Sequence, residues 1–248
     1  MHIYDTLILG CGYSSAGYAI AKGNCIICEE HQLCDTHFTM PLRSFRYTHY
    51  APKTPEGKRL LDVFSGLALF DQAGNMQNTT AFECGFCQFL MENPLEILLK
   101  CRIVEIAQTQ DGLYQVTLQT NEGLSLLFAK RVLNTLGTPK EKSFTVLLTT
   151  ENYPETAALL AQAFPNSTLE PAFYESRYAL HIPADGCNEN DIKLQVYETL
   201  CQLPLSAKVI YMAPVFAQAC EPGGLCDDHY SNPIEAFEAG FFYGEETK

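Results

Sequence analysis

The chain opens on a short apolar run, Leu7-Ile8-Leu9, that ends at Gly10. A stretch of small residues with helical spacing follows the glycines and is closed by Gly23, a natural helix stop. Next, Cys25-Ile26-Ile27-Cys28 is apolar without alternation and runs into Glu29-Glu30, the pattern of a parallel strand buried on both faces. Strand, helix and strand in this order predict a βαβ unit.

From residue 40 to 78 the periodicity is poor, and only 57–70 has a helical pattern, which reads as an excursion from the core fold. Order returns with a helix over 81–92 and a strand over 95–100. Strands over 102–108, 113–120 and 124–128 follow, separated by the turn signals Asp111-Gly112 and Asn121-Glu122-Gly123, which predicts a β-meander. A further apolar strand, 131–137, closes at Gly137, and Thr138-Pro139-Lys140 marks a boundary. Segments 144–148, 154–164, 168–173, 177–182, 191–203 and 207–212 alternate strand-like and helix-like patterns, as in a small inserted unit, with the last strand a candidate to return to the first sheet. After a loop rich in Gly, Cys and Asp over 219–230, Asn232-Pro233-Ile234-Glu235 supplies an N-cap, a first-turn proline and an acidic third residue for a helix reaching about Tyr243.

Composition narrows the function classes. The 248 residues are 47% hydrophobic and 18% charged, as in a globular protein with a sizeable core. A net charge of −13 argues against nucleic acid and anionic membrane surfaces, which require clustered Lys and Arg. The 11 cysteines are odd in number and scattered through apolar runs, which points to reduced thiols in the cytoplasm and not to a disulfide scaffold. No Lys or Arg precedes the apolar run at 7–9 and Asp5 interrupts it, so neither a signal peptide nor a membrane span is expected. Serine-hydrolase elbows, phosphate-cradling Gly-x-x-x-x-Gly-Lys loops, kinase signatures and His-Glu-x-x-His motifs are absent from the sequence.

The chemistry-bearing motif is Gly10-x-Gly12-x-x-Ser15, set between a strand and a helix, with Glu29 or Glu30 about 20 residues on. Glycines allow a tight turn and close backbone approach to a pyrophosphate, and the helix N-terminus, with Tyr13 and Ser14 in its first turn, favours the anion. The acid at the end of the second strand accepts hydrogen bonds from a ribose. Ser15 stands where the fingerprint has its third glycine. The motif alone does not choose between nicotinamide and flavin dinucleotides.

The block from 95 to 137, a strand, a three-stranded meander and then Val132-Leu133-Asn134-Thr135-Leu136-Gly137, resembles the FAD-binding domain of the two-dinucleotide-fold, glutathione-reductase-like flavoproteins. The resemblance covers roughly 3–36, 82–137 and 207–243. It implies an α/β fold: a Rossmann-like FAD-binding domain with a parallel sheet and a β-meander, discontinuous over 1–37, 81–140 and 206–248. A small α+β substrate domain would be assembled from 38–80 and 141–205. By that resemblance Gly10, Gly12, Tyr13, Ser14 and Ser15 lie at the pyrophosphate, and Glu29, or its neighbour Glu30, at the adenosine ribose. Cys34 would approach the phosphates or ribityl chain, Thr135 and Gly137 the adenine side, and Ser231, Asn232 and Pro233 the isoalloxazine. The family's Gly-Asp pair before the last helix has its nearest counterpart in Asp227 or Asp228. With a single fingerprint there is no second nicotinamide domain in these residues, so electrons come from the substrate, a partner or a transient donor.

Several other residues are candidates on chemistry alone. Cys84-Gly-Phe-Cys87 has the spacing of a redox dithiol, although a helical run also uses buried Cys as a small hydrophobe. Cys25, Cys28, His31, Cys34 and His37 recur every third residue, but in a strand that spacing turns Cys25 and Cys28 to opposite faces, so no metal is assigned. Arg43, Arg46, Tyr47 and His49 concentrate cations and aromatics in an acidic chain and suit an anionic small-molecule substrate; Arg177 and His181 are second-choice contacts. His49, Tyr47 and His181 are the candidates for an acid or base. Two alternatives stay open: an NAD(P)-binding oxidoreductase, and a non-catalytic flavin fold with a binding or regulatory role.

Overall fold

The computed structural model describes residues 2–31, 50–67, 79–136, 141–171, 177–184, 188–203, 207–212, 216–218, 225–230 and 232–247. The N-terminal unit is β1 (Tyr4–Leu9), α1 (Tyr13–Lys22) and β2 (Cys25–Glu29), as the periodicity predicts. Gly23 ends α1 at φ 66° and ψ 175°, a conformation essentially confined to glycine that costs other residues roughly 1–3 kcal/mol. Helix α2 (Pro55–Gly66) starts earlier than its apolar pattern, because Thr54 caps it by accepting the Gly57 N–H at 2.9 Å and Pro55 fits the first turn.

Helix α3 (Thr79–Met91) leads into β3 (Glu96–Leu99), β4 (Arg102–Gln108), β5 (Tyr114–Thr120) and β6 (Gly123–Asn134). The sheet order is β3-β2-β1-β6-β5-β4. Strands β3, β2, β1 and β6 run parallel, and β6, β5 and β4 form the antiparallel meander. One expectation is corrected here: the third meander strand and the apolar strand after it are a single strand. No turn residue separates Phe128 from Arg131, so β6 continues, and buried Ala129 pairs with Tyr114 on one edge and Tyr4 on the other.

The unalternating strands are explained by cores on both faces of this sheet. Ile8 and Ile27 pack with Tyr13, Phe64, Phe86 and Phe237 on one face, while Leu7 and Ile26 pack with Val116 and Leu118 on the other. On the first face α1 lies against the last helix, α6 (Pro233–Glu246). Their backbones approach closely at Gly17, Gly240 and Gly244. A Cβ on Gly17 would overlap the Phe237 carbonyl oxygen and stand 2.9 Å from Phe241 N, and one on Gly240 would overlap the Ser14 carbonyl and stand 2.6 Å from its carbon.

A second sheet has the order β10-β7-β9-β8, with β11 also on β7. It comprises β7 (Glu141–Thr149), β8 (Thr168–Pro171), β9 (Arg177–Pro183), β10 (Lys208–Met212) and β11 (Phe216–Gln218). Helices α4 (Tyr153–Ala163) and α5 (Glu189–Gln202) share its separate core of Phe144, Val146, Leu148, Leu160, Leu180 and Val196. The strand over 207–212 therefore does not return to the first sheet. It pairs antiparallel with β7, Val209 opposite Leu148, because Met212 packs on the apolar side chains of β7 there. Among the described residues no helix is long and apolar enough to cross a membrane.

Candidate functional site

The loop between β1 and α1 is built by backbone constraints. Gly10 sits at φ 96°, where an L side chain is strained, and its N–H donates to Cys28 O at 2.9 Å, tying the turn to β2. Thr135, just past β6, holds the other side: its hydroxyl donates to Leu9 O at 2.7 Å and its N–H to the same oxygen at 3.0 Å. Ser15, in the place of the third glycine, closes the first turn itself. Its Oγ accepts the Gly12 N–H at 2.7 Å and donates to Gly12 O at 2.8 Å.

Two carboxylates complete the loop. Glu29, the last residue of β2 and 1% exposed, accepts the Cys11 N–H at 2.8 Å on one oxygen. Its other oxygen takes the His31 N–H at 2.9 Å and the His31 ring at 2.8 Å. Burial alone would push its pKa up, but the hydrogen bonds from His31 and Cys11 outweigh burial and hold it below the ordinary carboxylate range. Asp227, also 1% exposed, sits in a short 3-10 turn (Asp227–His229) ahead of α6. It accepts the Tyr13 N–H at 2.7 Å and the Ser14 N–H at 2.8 Å, one on each oxygen. The α1 N-terminus therefore holds an anion already. A Cβ on Gly12 would overlap Asp227 Oδ2 and stand 2.9 Å from its Cγ, so only glycine admits the carboxylate.

Gly10, Cys11, Gly12, Glu29, Thr135, Leu136 and Asp227 line a cleft that leaves no room for a water molecule. The donor set nonetheless fits a dinucleotide's pyrophosphate. Paired N–H groups at a helix start already bind a bidentate oxyanion, Gly12 permits its close approach, and buried Ser14 Oγ has no hydrogen-bond partner among the described residues. Beyond Asp227, the same segment and α6 border an open cavity of about 400 Å³ lined by Leu133, Leu225, His229, Tyr230, Phe242 and Tyr243 among others.

Of the expected site residues, Gly10, Gly12, Tyr13, Ser14, Ser15, Glu29 and Thr135 converge at the loop. Asn232 is buried and caps α6 by accepting the Ile234 N–H at 2.8 Å, with Pro233 next in the first turn. Glu30, one residue beyond Glu29, is exposed and lies 4.0 Å from Arg102. The Asp227 carboxylate reaches the loop. Cys34, Arg43, Arg46, Tyr47, His49, Gly137 and Ser231 lie outside the described residues.

The remaining candidates stand apart from the cleft. Cys84 and Cys87 are on α3 and are not disulfide-bonded; Cys84 is exposed. Cys25 and Cys28 pack in the cores on opposite faces of the sheet, and burial pushes the Cys25 thiol up to about 11. Arg177 and His181 are on β9 of the second sheet, where His181 is hydrogen-bonded to Thr145 at 2.9 Å. Sequence reasoning missed Glu238, a fully buried carboxylate on α6 that accepts from Tyr50, Lys53 N, Thr54 N and Thr54 Oγ1. An acidic residue inside the apolar run Ala236-Phe237-Glu238-Ala239 was its signal.

No protein-family model and no curated protein sequence matches the chain. Solved structures do. The p-nitrophenol 4-monooxygenase PnpA from Pseudomonas putida is 13% identical with a TM-score of 0.56, over 99% of this chain and 81% of that one. A geranylgeranyl bacteriochlorophyll reductase-like protein from Thermoplasma acidophilum is 11% identical with a TM-score of 0.61, over 100% and 78%. Aklavinone-11 hydroxylase, solved with FAD and aklavinone, is 12% identical with a TM-score of 0.54 over 100% and 62%, so this chain spans less than two thirds of that protein. At these identities the likeness establishes a shared fold.

Proposed function

We propose that the chain is a cytoplasmic FAD-dependent oxidoreductase acting on a small molecule. The observation that carries this reading is the α1 N-terminus. Two backbone N–H groups there converge on an oxyanion between Gly12 and the end of β2, in a fold shared with a hydroxylase that binds FAD. When bound, FAD supplies the hydride or electron acceptor. The Tyr13 and Ser14 amides would hold its pyrophosphate, Gly12 would admit it, and Glu29, oriented by His31, would accept from the adenosine ribose. The capped N-terminus of α6 at Asn232 and Pro233 would favour negative charge on the flavin ring. The similar proteins include a monooxygenase and a reductase-like protein, so the reading extends to flavin redox chemistry on a small substrate. Residues 38–80 and 141–205 would supply the contacts to that substrate.

The visible spectrum of the purified protein, with mass spectrometry of any released ligand, tests this reading. A yellow protein that releases FAD, or an apoprotein that takes up FAD on titration, is expected. A colourless protein that binds neither FAD nor NAD(P) would refute it. That outcome would favour a non-catalytic use of the fold, a reading supported by the way the chain's own carboxylates fill the cleft.

A further inference from the structure

Each backbone donor that the loop would offer to a phosphate is taken by an oxygen of the chain itself. Cys11 N–H goes to Glu29, Gly12 N–H to Ser15 Oγ, and Tyr13 and Ser14 N–H to Asp227. Two of these three acceptors are carboxylates, and among the described residues that line the cleft none is Lys or Arg. An incoming pyrophosphate would meet like charge at contact distance on donors already in use, so one acceptor must leave.

Ser15 belongs to α1 and Glu29 to β2, so both are fixed in the elements that define the loop. Asp227 alone reaches in from elsewhere in the chain, more than 200 positions away, on a single short turn. Its neighbours Leu225, His229 and Tyr230 line the cavity of about 400 Å³ beside α6, so the turn lies between the cleft and open space. The turn ends at His229, before α6 begins at Pro233, so its displacement toward that space would leave the helix intact.

We infer that Asp227 is an intramolecular latch. Its carboxylate stands in for the pyrophosphate on α1 when no nucleotide is bound, and it is displaced when one arrives. The latch rests on the FAD reading above. It lowers the apparent affinity for nucleotide by the fraction of molecules in which the turn has opened, and it protects the empty loop from leaving buried donors unpaired.

ADP is the probe, since it carries adenosine and two phosphates but no flavin or ribityl chain for Asp227 to touch. Calorimetric titration of the nucleotide-free full chain is compared with Asp227→Asn, which removes the charge and keeps the shape. The variant is expected to bind ADP at least about tenfold more tightly, the scale of one lost charge-assisted hydrogen bond. Equal or weaker binding by the variant would overturn the latch and leave the FAD reading standing. If the variant does not fold, hydrogen exchange in the wild-type chain decides. The His229 and Tyr230 amides, which donate to Cys226 O and Asp227 O, should exchange faster on adding ADP, and unchanged or slower exchange would overturn the latch. Absence of ADP binding by both proteins would overturn the latch together with the nucleotide reading.

Discussion

Replacing Glu29 with glutamine tests the loop by removing one charge while keeping the shape. In the native chain its carboxylate accepts from Cys11 N at 2.8 Å, His31 N at 2.9 Å and the His31 ring at 2.8 Å. Glutamine keeps one acceptor oxygen and turns an NH2 group toward a donor, so at least one buried N–H loses its partner. Hydrogen bonds to a charged group contribute about 1.5–3 kcal/mol and an orphaned buried donor costs about 1–3 kcal/mol, so Glu29→Gln should cost about 2–4 kcal/mol at pH 7. For a chain of this size that corresponds to a fall in Tm of roughly 5–15 °C. The pH dependence has a definite sign. The folded-state pKa of Glu29 is depressed, so its contribution is fully present above the ordinary glutamate value of about 4.3 and is lost as the pH falls through the folded value. The wild-type and variant stability curves, from urea unfolding followed by circular dichroism in steps from pH 7 to pH 3, should therefore converge on acidification. Equal stability at pH 7, or curves that stay parallel to pH 3, would refute the argument.

Three further outcomes follow from the packing. Gly12→Val should abolish FAD and ADP binding in a chain that still folds, because the new side chain fills the approach to the α1 N-terminus; unchanged affinity in calorimetry would remove the site from this loop. Gly240→Ala should destabilise by at least about 1–3 kcal/mol, since its Cβ meets the backbone of Ser14 with no flexible atom to yield, whereas Gly66→Ala, with open space around it, should not destabilise; equal effects in denaturant titrations would contradict the helix contact. Glu238→Ala should cost about 3–5 kcal/mol, because it leaves Lys53 N, Thr54 N and the Tyr50 hydroxyl without their acceptor, and limited proteolysis should then cut first between residues 50 and 57; a wild-type digestion pattern would contradict this.

Local chemistry made much of the fold legible. The βαβ opening, the meander turns at Asp111-Gly112 and Asn121-Glu122-Gly123, and the cap of α6 at Asn232-Pro233 all act within a few residues, so spacing and residue type suffice to read them. The Gly-x-Gly-x-x-Ser loop and Glu29 belong to the same class, because strand, turn, helix and acid follow one another within 20 positions.

The rest depended on which surfaces meet. The strand Lys208–Met212 is as apolar as a core-sheet strand, and only the free edge of β7 decided where it paired. Glu30 and Glu29 are the same residue type side by side; Glu29 reaches the loop and Glu30 is exposed. Gly17 and Gly240 are unremarkable in helical patterns until the helices touch. Asp227 carries no local signal that it will seat on a helix more than 200 positions earlier. Sequence by itself determined a loop shaped to bind an anion, because glycine conformation and helix N-terminal donors are local properties. Tertiary structure decided which anion occupies that loop in the folded chain, because long-range packing brings the Asp227 carboxylate onto donors that burial forbids to stay unpaired.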